Sequence, residues 1–401
     1  MAARKSSIVA LAIGASACAS LLDLDDLSQD PTGSGGSSEG GGDGGSATGV
    51  SSTGGAGGGV EGTGGTGGTG GCDVGQLDCG NGCIDVLADD ANCGFCGHSC
   101  LGGASCADGM CPSVEVTSAA AIHDIAVDGT DVFWEPGTTA NRQIYRTPKT
   151  GGNDVVLVPS VGANGQLLVV GDYLVFVQSG FAKLRRVLKT GGAAEDVTSN
   201  SSNGIIDVVA RGNSLFFTRS SGGLWETNAN GCCMVTEVEP LTSPSLVATG
   251  SLFAYVLQSV NPGLDVVHRI MLPSGGASLF TDPVSDEAEG IGTMVSDEDH
   301  VYWTLPDGVR RKAQLGSNVP TEELIGGVAP AGMVVDPGTA GYVYLLDDDS
   351  ERLVRFPKTG GPVEPITVVP ATTGSELAHD ADSLYFVQDD TSLRRVGKPP
   401  R

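Results

Sequence analysis

Three groups of side chains in this sequence could do chemistry. The densest is Cys72, Cys79, Cys83, Cys93, Cys96, Cys100, Cys106 and Cys111, eight cysteines within forty residues. As thiolates, Cys93, Cys96 and Cys100 with His98 have a spacing that could hold zinc. Oxidised, an even set at this density makes four disulfides, and the scarcity of apolar residues around it favours that reading, because covalent staples must then replace a core. A separate adjacent pair, Cys232 and Cys233, has two readings: a strained vicinal disulfide at a ligand surface, or two unpaired thiols in a turn or one of them bridged elsewhere. The second group is Arg146, Arg186, Arg311, Arg355 and Arg395, each third in a recurring nine-residue string. Guanidinium forks at equivalent points could bind an anionic ligand, or could tie neighbouring units through salt bridges to Asp128, Asp336 and Asp380. The structural role is the favoured one.

The third group is the histidines and acidic runs of the C-terminal body. His123 and His379 stand at or beside segments expected to line a central channel. His268 and His300 have no partner of catalytic spacing. Asp297-Glu298-Asp299 and Asp347-Asp348-Asp349 match no specific calcium loop and read as solvated turns. No G-x-S-x-G, H-E-x-x-H or P-loop string is present. The sequence therefore assigns no catalytic, cofactor-binding or metal-binding residue.

The nine-residue string reveals what must position these groups. IYRTPKTGG at 144–152, LRRVLKTGG at 184–192 and LVRFPKTGG at 353–361 each follow an aromatic-apolar segment. Seven such segments centre on Phe133, Val175, Phe216, Phe253, Tyr302, Tyr344 and Tyr385, a period near 40–45 residues with several short strands per unit. That period predicts an all-β fold, a seven-bladed β-propeller. The string is the third strand of each blade, and Thr-Gly-Gly is the turn into the fourth, where glycine accepts positive φ. The last unit stops at LRRVGKPPR without a fourth strand, while SVEVTS at 113–118 stands before the first complete unit. The N-terminal strand should close the last blade as a velcro strand. HVYWT at 300–304 and IAVDGTDVFW at 125–134 resemble YWTD-type propellers, although the Asp that ends that motif is missing from every copy.

The domains expected are 1–18, an export signal; 19–71, a disordered Gly/Ser/Thr-rich linker; 72–112, the disulfide-rich module; and 113–401, the propeller. Arg4 and Lys5 precede a short apolar stretch, Ile8 to Ile13, too short to span a bilayer. Ala15-Ser16-Ala17-Cys18 resembles a bacterial lipobox, which implies lipid attachment at Cys18; Ala15 stands where that motif usually has Leu, and ordinary signal cleavage with secretion is the alternative. Ala19 after it resembles an outer-membrane destination in Gram-negative lipoproteins. The linker cannot bury enough apolar surface to order its backbone and acts as a spacer. The CG-x-x-C-x-D…NCG-x-CG-x-x-C…C-x-x-G-x-C spacing, with Asp85 and Asn92, resembles a cysteine-rich motif of secreted myxobacterial proteins, which implies a cell-surface location.

Net charge is −26, and no Lys or Arg occurs between Ser6 and Asn141. Such a chain is unsuited to nucleic acid, whose phosphates need clustered cations. The expectation is a monomeric, surface-anchored, non-catalytic module that presents loops to an extracellular protein or glycan, touches the membrane only through its lipid and needs no cofactor. The alternative is an extracellular lyase or hydrolase working at the channel mouth. His, Glu, Tyr and Arg converging on one face would favour the enzyme.

Overall fold

The computed structural model describes residues 71–136, 143–159, 163–178, 183–199, 203–231, 235–261, 264–281, 290–316, 319–370 and 376–401. Cys18, the linker and the Cys232–Cys233 pair lie outside the described residues. Seven four-stranded antiparallel sheets follow one another along the chain. Blade 1 is Asp124–Val127, Asp131–Glu135, Ile144–Pro148 and Val155–Val158. Blades 2 to 6 repeat this order, with first strands Ala163–Val170, Ile205–Arg211, Pro244–Thr249, Met294–Ser296 and Pro330–Val335. Blade 7 takes three strands from the C-terminal end, Leu377–His379, Ser383–Gln388 and Ser392–Gly397, and its fourth, Val114–Ser118, from upstream. Val114 faces Arg395 and Thr117 faces Leu393, so the velcro closure is present. Each first strand touches the first strand of the next blade, and that of blade 7 touches that of blade 1, which completes the ring.

The aromatic segments form the second strands. Phe133, Phe216, Tyr302, Tyr344 and Tyr385 are all but inaccessible to solvent, and each contributes about 1.5–3 kcal/mol of burial. Blade 4 departs from the sequence reading. Its residue opposite the arginine position is Tyr255, not Phe253, and the matching third-strand residue is Arg269, not Ile270. A longer second strand, Phe253–Asn261, hides the offset in sequence. The Thr-Gly-Gly turns behave as expected: Gly151 and Gly152 lie at φ 81° and 140°, and Gly360 and Gly361 at 79° and 144°.

The cysteine module holds two short strands, Gln76–Asp78 and Cys83–Asp85, and a single 3-10 turn, Leu101–Gly103. Four pairs lie at disulfide distance: Cys72–Cys83, Cys79–Cys96, Cys93–Cys106 and Cys100–Cys111. The module packs onto the propeller. Cys93 and Cys111 share a buried cluster with Tyr344, Leu353, Leu384 and Val396 of blades 6 and 7. Among the described residues no helix is long and apolar enough to cross a membrane.

Candidate functional site

On one side of the ring lie the hairpins between first and second strands and the Thr-Gly-Gly turns. The recurring arginines sit towards this side, and each reaches into the next blade. Arg146 Nη1 donates to the Lys189 carbonyl at 3.0 Å, Arg186 Nη1 to Ala229 at 2.9 Å, and Arg395 Nη1 to Lys149 at 3.3 Å. Arg311 does the same to Lys358 at 2.5 Å, and Arg355 to Pro399 and Pro400 at 3.0 and 2.9 Å. Arg269 of blade 4 joins them, donating to Gln314 at 3.2 Å. The remaining guanidinium nitrogens bind fourth-strand glutamates of the same blade: Glu195 for Arg186, Glu322 for Arg311 and Glu364 for Arg355. Only blade 3, with Glu226 in this register, lacks such an arginine.

The expected salt bridges from these arginines to Asp128, Asp336 and Asp380 are not made. Lysines take those partners. The sixth residue of the string reaches back to the preceding blade: Lys189 to Asp128 at 3.0 Å, Lys358 to Asp297 at 2.7 Å, Lys398 to Asp336 at 2.7 Å, and Lys149 to Asp380 at 2.5 Å. Arginine is excluded from these contacts by direction, since the third and sixth residues of the string face opposite sides of the sheet. Tyr302, Tyr344 and Tyr385 donate their hydroxyls to Asp297, Asp336 and Asp380 at 2.8, 3.2 and 3.0 Å. Burial resists ionisation of these aspartates, but the lysine ammonium and backbone N–H donors outweigh it and hold them below the ordinary carboxylate range. Asp297 is thus no solvated turn residue: its side chain and that of Lys358 are each 2 % exposed. Asp347 is also buried, accepting from the Ala329 N–H and the Ser350 hydroxyl.

His379, in the first strand of blade 7, belongs to this network. Its Nδ1 lies 2.8 Å from Lys398 Nζ and accepts that proton, while burial and the ammonium push its pKa down. His98 has both ring nitrogens on backbone carbonyls, Cys93 at 2.7 Å and Gly397 at 3.2 Å. With Cys93, Cys96 and Cys100 in disulfides, the zinc-like set has no thiolate to offer.

At the opposite mouth the first strands begin, and sequence reasoning did not single out the residues there. Asp124 of blade 1 accepts the Leu167 N–H of blade 2 and lies beside Glu376 of blade 7. Burial first, then the Glu376 carboxylate, hold Asp124 well above the ordinary carboxylate range. Asp207 of blade 3 repeats the pattern one step round. It accepts the Val247 N–H of blade 4 at 2.6 Å and the Gln166 amide of blade 2 at 2.5 Å, and burial raises its pKa. Gln166 adopts φ 62°, and bulges shift the register at this level in blades 2, 3, 4 and 6. Glu376, Asp124, Gln166 and Asp207 thus form a polar arc over four successive blades. His123 is exposed on the same side, one residue before Asp124. The available signal was position: each lies four residues before the end of its first strand or the aspartate that follows it.

No protein-family model matches the sequence, and no curated protein matches it either. The fold does match solved structures. Virginiamycin B lyase from Staphylococcus aureus aligns with TM-score 0.56 and 15% identity over 71% of this chain and 98% of that one. YCF48 bound to D1 peptide aligns with TM-score 0.54 and 13% identity over 71% and 94%. The extracellular domain of a hybrid two-component system from B. thetaiotaomicron aligns with TM-score 0.50 and 11% identity, covering 71% of this chain and 39% of that chain. The chain is a seven-bladed propeller. At these identities the likeness extends to the fold alone, on which enzymes and binding proteins both occur.

Proposed function

We propose that this is an exported, surface-attached, non-catalytic propeller that binds an extracellular protein or glycan at the mouth where the first strands begin. One observation carries the reading. Among the described residues, the recurring arginines and the lysines paired with Asp128, Asp297, Asp336 and Asp380 are spent on holding blades together, and three core tyrosine hydroxyls on the last three of those aspartates. The groups bonded to Asp124 and Asp207 are backbone N–H donors, Glu376 and Gln166, with no Lys, Arg or Tyr. Among the described residues, no Lys, Arg or Tyr joins the carboxylates of Asp124 and Asp207 to make the convergence that favours acid–base chemistry. Four disulfides fit an oxidising exterior. Lipidation of Cys18 and an outer-membrane address are part of the same proposal; the intact mass of the mature N-terminus tests them, and an unacylated residue beyond Cys18 would remove them.

A second reading has its own support. Asp124 beside Glu376 is a carboxyl pair in which burial and the neighbouring carboxylate push the Asp124 pKa up, an arrangement that can transfer a proton. Purified mature chain should be screened against arrayed glycans and peptides and, in parallel, for turnover of polysaccharide and ester substrates. Binding that Glu376→Gln and Asp207→Asn weaken, without turnover, supports the binding role. Turnover abolished by Glu376→Gln establishes the enzyme instead.

A further inference from the structure

The cysteine module, which stands between linker and propeller in the chain, sits on the seam that closes the ring. Three observations define the seat. His98 Nε2 lies 3.2 Å from the carbonyl oxygen of Gly397, the last residue of the C-terminal strand. Phe95 stacks on Arg355 at 4.2 Å, with Tyr342 at 4.0 Å on the same guanidinium, and Arg355 is 2 % exposed. Leu101 packs over Gly397. The velcro strand begins at Val114, three residues after Cys111. The module therefore holds both partners of the closing pair, one by its covalent connection and one by contact.

The sulfur positions tie two of the four bridges to the seam. Cys93 and Cys111 are 0 % and 1 % exposed, within a cluster that contains Leu384, Phe386 and Val396 of blade 7. Their partners Cys106 and Cys100 are only partly buried, so each bridge fixes one sulfur against the propeller and leaves the other where an oxidant can reach it. Cys72, Cys79, Cys83 and Cys96 stand outside this cluster. We propose that the module is an oxidation-dependent clamp: forming Cys93–Cys106 and Cys100–Cys111 creates the surface on which the ring closes, so that closure follows oxidation. Each bridge forms as two thiols lose two protons and two electrons to a disulfide oxidant by thiol–disulfide exchange, the oxidant leaving as a dithiol. In a reducing compartment the same chain would keep its seam open. This holds whether the propeller binds or catalyses.

Hydrogen exchange of the full chain, read by mass spectrometry on peptides covering 114–118 and 392–397, tests the clamp. Cys93→Ser/Cys106→Ser should raise exchange at both seam strands at least about tenfold, or leave the chain unable to close. Cys72→Ser/Cys83→Ser, which breaks a bridge outside the shared cluster, should leave seam exchange within about twofold of wild type. Phe95→Ala, with every bridge intact, should raise seam exchange by an intermediate factor. Seam protection unchanged in Cys93→Ser/Cys106→Ser would overturn the proposal. So would equal loss in both double variants, which would mean that the bridges act only through overall stability.

Discussion

Blades 5, 6, 7, 1 and 2 are joined in succession by four lysine–aspartate pairs, whereas blades 2, 3, 4 and 5 are joined without any. The cause is local. Blades 2 and 3 turn from first to second strand through two residues, Gly171-Asp172 and Gly212-Asn213, which leaves no loop-opening aspartate like Asp128. The following blades correspondingly carry Ala229 and Leu272 where the others have lysine. In blade 4 the aspartate is replaced by Gly250, and blade 5 answers with Gln314, whose amide donates to the Asp297 carbonyl at 2.7 Å. Tyr255, equivalent to the three bonded tyrosines, is left with a buried hydroxyl lacking a partner among the described residues. The joint between blades 3 and 4 also lacks the arginine tie and is filled by Phe216, Leu224, Val247 and Ile270. One repeat thus supports two kinds of seam, a polar latch and an apolar weld. Both members of a latch change together, because a buried charge without its partner is costly.

The comparison can be broken most sharply at Lys358. Lys358→Ala leaves Asp297 buried and unpaired and should cost about 3–5 kcal/mol in chemical denaturation. Replacing both partners by apolar residues, Lys358→Met with Asp297→Leu, should recover much of that loss if the latch mainly specifies pairing. Building a latch into the bare arc is the converse test. Gly250 has a backbone that any residue can adopt, but a Cβ there would collide with the Gln314 amide, so Gly250→Asp alone should destabilise. Gln314→Lys alone strands an ammonium. Together they should show a favourable coupling of about 1–3 kcal/mol in a double-mutant cycle, with the Tyr255 hydroxyl finding an acceptor. Lys189→Ala, at the most exposed of the four pairs, should cost only about 0.5–1 kcal/mol.

The pH dependence separates the ring's two sides. Asp297, Asp336 and Asp380 have folded pKa values below the unfolded one. Their stabilisation is complete above the ordinary carboxylate range and disappears as pH falls through the folded values. Asp124 and Asp207 have raised values. Their relative contribution is greatest below the unfolded pKa and is lost as pH rises through the folded one. Asp124→Asn should therefore flatten the decline in thermal stability as pH rises above the ordinary carboxylate range while leaving the acid limb in place. An unchanged alkaline-side slope would show that Asp124 ionises freely.

Much of the architecture was legible before any coordinates. The seven aromatic segments, the Thr-Gly-Gly turns and the orphan strand at 113–118 each obey a local rule, so period and turn chemistry were enough to read ring size and closure. The misplaced blade 4 shows the limit: where the second strand runs to nine residues instead of five or six, Tyr255 and Arg269 lie off the counted register. The arginines were visible as a set, but their acceptors are backbone carbonyls of the next blade, which carry no letter in a sequence. The latch lysines stood in plain view within the same strings, yet their aspartates lie in the preceding blade.

By itself, then, the chain's periodicity determined a closed all-β ring, because strand length, turn type and alternation are properties of neighbouring residues. Only the tertiary structure decided which cation meets which anion, how the acidic arc assembles from four blades, and that the cysteine module sits on the seam. Those outcomes depend on side-chain direction and on surfaces that exist only after the sheets have closed.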